Sequence, residues 1–342
     1  MSAPGQVRHV TVEAAQHGER LDRVLMAVCG LSLRAARRRI DDGGIRVDGK
    51  TAVAAQRLRA GQRLELFPDG EADDGLSSAV RLLGRQGDHV AFFKPAGLHS
   101  SPLAGRTAPN LEDAARALWN EDAQTAPLHF LQRLDQATSG IVCAALSDDA
   151  ARRFRAAEAR GECAKYYLAL LRGELEAPLT ADRALDVDSR SVSRILDKMA
   201  PPLRHTRFFP LHVLRGDEAA AAQTANGLTA PAPAVTLAAC VIRCGARHQI
   251  RAHAASLGLP LCGDGRYARP GDAVAGPGRE RFLLHHACLT GPGWRWLCLP
   301  TWERLPFLEN HFRKWLESHS RYDTISLTEK AVAARAPVRE RV

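Results

Sequence analysis

The chain has 342 residues, 45% of them hydrophobic and 25% charged, the balance of a soluble globular protein long enough for about two domains. Its apolar runs fall short of the ~20 residues that span a bilayer, and Arg8 and His9 are followed by no apolar core, so neither a membrane segment nor a secretory signal is expected and the cytoplasm is the expected compartment. A formal charge of +9 favours a polyanionic partner, because Lys and Arg gain by displacing counterions from phosphates.

Residues 20–67 read as a compact basic unit. Ser32 is placed to cap a helix in which Leu33, Ala36 and Ile40 share one face, with Arg34, Arg38 and Arg39 turned away from it. Gly43 and Gly44 end that helix, and residues 45–47, the Asp48-Gly49 turn and residues 63–67 suggest a small hairpin-like sheet. Residues 1–68 hold twelve Lys or Arg against seven Asp or Glu, a surplus of five in one fifth of the chain. A solvated helix face is the ordinary fate of such an arginine run.

Residues 69–78 are acidic and poor in apolar side chains, as a linker would be. Strands are expected at 80–83 and 90–93, followed by a turn from Lys94 to Leu98 in which Pro95 fixes φ and Gly97 relieves the backbone. A helix over 110–119 carries Leu111, Ala114, Ala115 and Leu118 inward. Residues 128–145 then give strand, polar loop and strand, the loop holding Arg133, Asp135, Thr138 and Ser139. A lone Asp beside Ser and Gly most often bonds its own backbone. A helix at 148–158 and a strand at 165–170 come next, and on that strand Tyr166 and Tyr167 must point to opposite faces.

Residues 217–234 are low-complexity, lack large apolar anchors and are expected to be a disordered surface insertion. Beyond them come a strand at 235–243, a helix at 246–257 closed by Gly258-Leu259-Pro260, and an amphipathic helix at 306–318 with Leu308, Phe312, Trp315 and Leu316 inward. Residues 321–342 carry no such stripe and are expected to be a flexible tail.

The eight cysteines form no CxxC pair, and Cys240 and Cys244 suit a strand better than a zinc knuckle. His248 and His253 lack zincin spacing, so no metal is expected. Arg247, His248 and Arg251 could hold a phosphate at a helix start. His285 and His286 read as packing or hydrogen-bonding residues.

The words RLDQATSG at Arg133 to Gly140 resemble the HRLDxxTSG signature of the pseudouridine synthases of the RluA family, with Gln132 at the position usually filled by His. Three further stretches match that family in order: Lys94-Pro95-Ala96-Gly97 its KPxG motif, Lys165, Tyr167 and Ala169 its KxYxA motif, and Ala246 to His253 with Gly263, Asp264 and Tyr267 its GRxHQIRxH…GD..Y motif. The resemblance implies an α+β catalytic domain over 79–320 with a mixed, mostly antiparallel sheet. It implies Asp135 as nucleophile, Tyr167 stacked on the target uracil and assisting loss of the C5 proton, Arg251 paired with Asp135, and Arg133 entering the RNA as the base leaves. Lys94, Thr138, Ser139, Arg247, His248 and Gln249 are the remaining expected substrate contacts, and no cofactor is required. The first unit is similar to the RNA-binding domain named for ribosomal protein S4, which implies phosphate contacts from Arg34, Arg37, Arg38, Arg46 and Lys50.

The implied activity is isomerisation of uridine in RNA, ribosomal large-subunit RNA before transfer RNA, by a monomer. A non-catalytic RNA-binding assembly factor would keep the basic surfaces but have no use for Asp135, Tyr167 and Arg251 together. Glycosidase-like hydrolysis lacks a second carboxylate in the motif loops.

Overall fold

The computed structural model describes residues 8–41, 44–66, 75–102, 108–121, 126–188, 192–228, 231–267 and 281–319; the segment 69–74, the tail 321–342 and the side chains of Arg38 and Lys50 lie outside the described residues. Strand β1 (Arg8–Thr11) precedes two helices, α1 (Leu21–Cys29) and α2 (Leu33–Asp41), and a β2 (Ile45–Val47), β3 (Lys50–Thr51), β4 (Arg63–Leu66) set completes a sheet of order β1-β4-β2-β3. The Ser32 hydroxyl accepts the Ala35 N–H at 3.2 Å, as an N-cap should. Between β2 and β3, Asp48 and Gly49 both adopt positive φ, 51° and 74°, the twist a two-residue hairpin turn needs. Ala36 and Ile40 join Leu21, Leu25, Ile45 and Leu64 in a core drawn entirely from residues 12–66. Leu33, expected on that buried face, is exposed: it lies in the first turn of α2, where the stripe runs past the edge of this small core.

The rest of the chain is organised on one ten-stranded sheet. Its strands are β5 (Arg81–Gln86), β6 (His89–Lys94), β7 (His129–Phe130), β8 (Ser139–Ala145), β9 (Ala164–Arg172) and β10 (Leu179–Ala181), then, past the separate two-stranded β11 (Arg183–Asp186) and β12 (Arg194–Met199), β13 (Thr206–Arg215), β14 (Ala234–Ile242), β15 (Leu284–Gly291) and β16 (Trp294–Leu297). The order is β10-β13-β14-β9-β15-β8-β6-β5, with β16 added to β15 and β7 to β8. The β15–β8 pair is parallel and the others antiparallel. The fold is therefore α+β with a mixed, mostly antiparallel sheet.

Both faces of this sheet are covered, so its central strands read as unbroken apolar runs rather than alternating ones. Along β9, Tyr167, Ala169 and Leu171 join one core and Tyr166, Leu168 and Leu170 the other. Helices α3 (Leu111–Glu121) and α6 (Gln249–Ser256) seal the first through Leu111, Ala115, Trp119, Ile250 and Ala254. Helix α4 (Asp148–Ala159) turns Ala150 and Ala151 toward Ala145 of β8, and α7 (Leu308–His319) buries Leu308, Phe312, Trp315 and Leu316 in the second core.

A second expectation is overturned. The stretch at 217–234, taken for a disordered insertion, contains the helix α5 (Gly216–Ala225) with Ala219 and Ala222 completely buried. Alanine is the best helix former, and its small side chain lets a helix lie close on the sheet without a large anchor. Gln223 ties this helix to the chain just before β14: its amide accepts the Ala232 N–H at 2.8 Å and donates to the Ala219 and Ala232 carbonyls at 2.9 Å.

Candidate active site

Asp135 sits in the turn between β7 and β8, and four groups fasten that turn. The Ser100 hydroxyl donates to the Leu134 carbonyl at 2.7 Å and accepts the Leu134 N–H at 2.9 Å. Gly97 N–H donates to the Gln136 carbonyl at 2.8 Å while the Gln136 amide returns a bond to the Gly97 carbonyl at 3.1 Å. Ser139 Oγ meets His285 Nδ1 at 2.8 Å. Lys94 is the fourth. Its fully buried ammonium donates to the carbonyls of Pro95, Gln136 and Thr138 at 2.9, 3.0 and 2.7 Å. Three fixed acceptors on a buried cation make Lys94 a clamp on the loop rather than the substrate contact expected of it.

The carboxylate that this loop presents keeps 22% of its side-chain surface exposed. Arg251 Nη1 lies 3.3 Å from Asp135 Oδ2, and His248 Nε2 lies 3.9 Å from Oδ1. Arg251 is 1% exposed, and its principal bonds run to another acid: Nε and Nη2 grip Asp264 at 2.7 and 2.8 Å, bidentate and shorter than the contact to Asp135. Asp264 also accepts the backbone N–H groups of Arg266 and Tyr267 at 3.1 and 3.3 Å. The guanidinium lies between the Phe282 and Tyr267 rings, its carbon 4.2 and 5.2 Å from their centroids. Asp264 therefore orients the arginine, which presents a cation to Asp135. The sequence pattern contained Asp264 but assigned it no role, because a paired acid looks the same in sequence as a turn residue.

The helix expected over 246–257 begins only at Gln249. His248 adopts φ 54° and ψ 20°, a left-handed conformation that no α-helix continues, so Arg247 and His248 occupy the turn before it. That turn aims the His248 ring at Asp135. Tyr267 Oη lies 3.0 Å from His248 Nδ1 and accepts the Ser193 N–H at 2.8 Å. With the phenol donating to Nδ1, the imidazole carries its proton on Nε2, the atom that faces the carboxylate.

Gln249, also an expected substrate contact, is 2% exposed and committed to the frame: Oε1 accepts the Ala246 N–H at 2.9 Å and Nε2 donates to the Arg204 carbonyl at 2.8 Å. Arg247 donates to the Val187 carbonyl at 2.9 Å and so ties the β11–β12 hairpin to the site. Thr138 is buried and Arg133 exposed beside Asp135. In the first unit Arg37, expected on phosphate, bonds the buried Asp22 at 2.7 Å while its own side chain stays exposed, as Arg34 does.

Tyr167 rises from β9 into the same core, and Tyr166 packs edge-on against Trp315 on the other face. Burial pushes the Tyr167 phenol well above its ordinary pKa and the Asp135 carboxylate adds to the effect, so it is neutral throughout the physiological range. The rings of Tyr167 and His286 are stacked, 4.5 Å apart and inclined by 17°.

Residues 88–256 match the family profile described as RNA pseudouridylate synthase, a span that contains Asp135, Tyr167 and Arg251. An uncharacterised RNA pseudouridine synthase of Mycobacterium bovis is 28% identical over 295 residues, 81% of this chain and 87% of that one. The ribosomal large subunit pseudouridine synthase C of Escherichia coli is 26% identical over 306 residues, 84% of this chain and 90% of that one. The chain belongs to the RNA pseudouridine synthases. It is an isomerase acting on uridine in RNA, and among the described residues of this synthase no helix is long and apolar enough to cross a membrane.

Proposed function

We propose that the synthase modifies a uridine of large-subunit ribosomal RNA in the cytoplasm, as a monomer, with Asp135 as its nucleophile. The observation that carries the assignment is that Asp135 is the partly exposed acid in a site whose other carboxylate, Asp264, is buried and fully bonded. The name of the Escherichia coli relative and the surplus charge of residues 1–68 support the ribosomal target.

A uracil stacked within RNA is out of reach of such a site, so it must flip out at a cost of about a few kcal/mol, and the exposed Arg133 is suited to fill the vacated space. Asp135 acts as the anion. The N-glycosidic bond breaks, the released uracil turns on the Tyr167 ring, C5 joins the sugar carbon and the C5 proton is lost while N1 gains one, so atoms balance without a cofactor. Arg251 holds the direction of the carboxylate, and His248 Nε2 faces its other oxygen at 3.9 Å. Tyr167 stacks on the base and assists removal of the C5 proton. Thr138, Ser139 and Arg247 shape the pocket around the flipped nucleotide.

Residues 1–68 act in this reading as an S4-like RNA-binding unit, joined by residues 69–78 to a catalytic domain over 79–320, with a tail at 321–342. Arg34, Arg37, Arg38, Arg46 and Lys50 contribute counterion release and hence affinity more than sequence choice. Mapping pseudouridine in cellular RNA with and without the gene tests the target. Loss of a site from transfer RNA alone would reject the ribosomal assignment and leave the chemistry standing.

A further inference from the structure

We propose that His286 is a positioning residue for the isomerisation, setting the plane of Tyr167 and its distance from the Asp135 loop. This inference rests on the reading that Tyr167 receives the uracil. It starts from the register of β15, in which His286 pairs with Tyr167 of β9 on one side and with Gly140 of β8 on the other. The strand of the tyrosine is thereby joined to the loop of the nucleophile through a single residue.

Three contacts fix His286 in that place. Its ring lies nearly parallel to that of Tyr167, with centroids 4.5 Å apart and 17° between the planes. Its Nδ1 is 2.6 Å from the Ile141 carbonyl, and because a carbonyl can only accept, the imidazole must hold its proton on Nδ1. Its backbone lies so close to Gly140 that a Cβ there would stand 2.3 Å from the His286 carbonyl oxygen, which explains a glycine at φ 118° just after Thr138 and Ser139. One residue thereby touches β8 with its backbone, the next residue of β8 with Nδ1, and Tyr167 with its ring. The register of β15 shifts between His286 and Cys288, a bulge of the kind that re-aims a side chain.

The stack determines more than packing because Tyr167 has no hydrogen-bond partner among its described contacts that would fix its rotation, whereas a parallel ring at this distance does. Burial pushes the pKa of His286 down to about 3, so the ring is neutral at working pH and neither charge nor proton transfer enters its role. A displacement of about 1 Å in a reacting group is worth on the order of 10² in rate, which sets the size of the effect expected when Tyr167 loses its stack.

The test is single-turnover tritium release from C5-labelled RNA at saturating enzyme, with RNA affinity and urea midpoints measured for every variant. His286→Ala and His286→Asn lose the ring and should slow turnover about 10²-fold with RNA affinity unchanged; His286→Phe keeps the ring, loses only the Ile141 bond and should recover most of the rate. In a Tyr167→Ala background His286→Ala should cost less than about threefold more, since a positioning residue has nothing left to position. Additive losses would make His286 a structural residue and overturn the proposal, as would a His286→Ala enzyme of normal rate. A Tyr167→Ala enzyme of normal rate would instead reject the role of Tyr167. His286→Phe keeps the test decisive if the alanine variant does not fold.

Discussion

Two charge clusters in this chain are mirror images of each other. In the N-terminal unit the fully buried carboxylate of Asp22 stands between Arg20, at 2.8 Å, and Arg37, at 2.7 Å, whose side chains remain 37% and 49% exposed. In the active site a buried cation, Arg251, stands between Asp264 at 2.7 Å and Asp135 at 3.3 Å, and it is an acid that reaches the surface, 22% exposed. Counting ion pairs would rank the two alike. What separates them is which partner meets solvent: the first cluster offers the surface cations, and the second offers a carboxylate aimed by a cation that is itself aimed from behind.

Asp135→Asn breaks the second cluster at its working end and carries the largest expected effect. The amide is isosteric but cannot be an anionic nucleophile, so tritium release from C5-labelled uridine RNA should vanish while RNA affinity stays near normal. Release at the wild-type rate would remove Asp135 from the mechanism.

Breaking the same cluster from behind should cost fold as well as function. Asp264→Ala leaves the Arg251 guanidinium buried without its bidentate partner, an error worth about 3–5 kcal/mol, and lets it swing toward Asp135 or away. We expect a lower urea midpoint and a turnover loss on the order of 10². An unchanged midpoint would show that Asp264 does not hold the arginine. In the first cluster Asp22→Asn should destabilise less, about 2 kcal/mol for hydrogen bonds to a charged group, and leave turnover at saturating RNA untouched. The two arginines hold the Asp22 carboxyl well below the usual carboxylate range. A depressed native pKa means that the unfolded chain binds the proton first, so the contribution is complete above the ordinary value of 3.8 and declines as pH falls beneath it. Acid unfolding of Asp22→Asn should lack that component.

Tyr166 and Tyr167 sharpen the comparison on one strand. Tyr167→Phe keeps the stack on His286 but loses the phenol oxygen, and if that oxygen assists proton removal, single-turnover rates should fall on the order of 10². Tyr166→Phe, in the opposite core against Trp315, should cost little. The reverse ranking would transfer the role to the other face.

The division of β9 between two cores was legible in sequence because strand geometry forces adjacent side chains apart, and the carboxylate loop was legible because its motif is specific. Helix α5 was not, since sequence patterning looks for large apolar residues and this helix is buried through alanines. The roles of Lys94 and Gln249 were misread for a related reason: residue type shows that a group can bind substrate, and only the fold shows that its bonds are already taken. Asp264 escaped because it acts through another side chain 13 residues away, and His286 was legible only as a packing or hydrogen-bonding residue because its link to Tyr167 is made by the pairing of two strands.

Gln132 gives the smallest expected effect, and one of opposite sign. It stands just before Arg133 where the family signature has His, and among the described residues both polar atoms of its buried amide have no hydrogen-bond partner. Along this stretch Leu128, Phe130 and Leu134 turn toward the core that contains Tyr167, and alternation places Gln132 in the same series. An unpaired buried amide costs about 1–3 kcal/mol, and replacing it with an apolar group of similar shape removes that cost. Gln132→Met should therefore raise the urea midpoint by the equivalent of about 1 kcal/mol and leave RNA affinity unchanged. Gln132→His, with one fewer buried polar atom to satisfy if one ring nitrogen finds a partner, should fall between the two. A midpoint lowered by the methionine would mean that the amide holds a bridging water beside the loop, and Gln132 would then belong with Lys94 and Ser100 among the groups that fasten Asp135 in place.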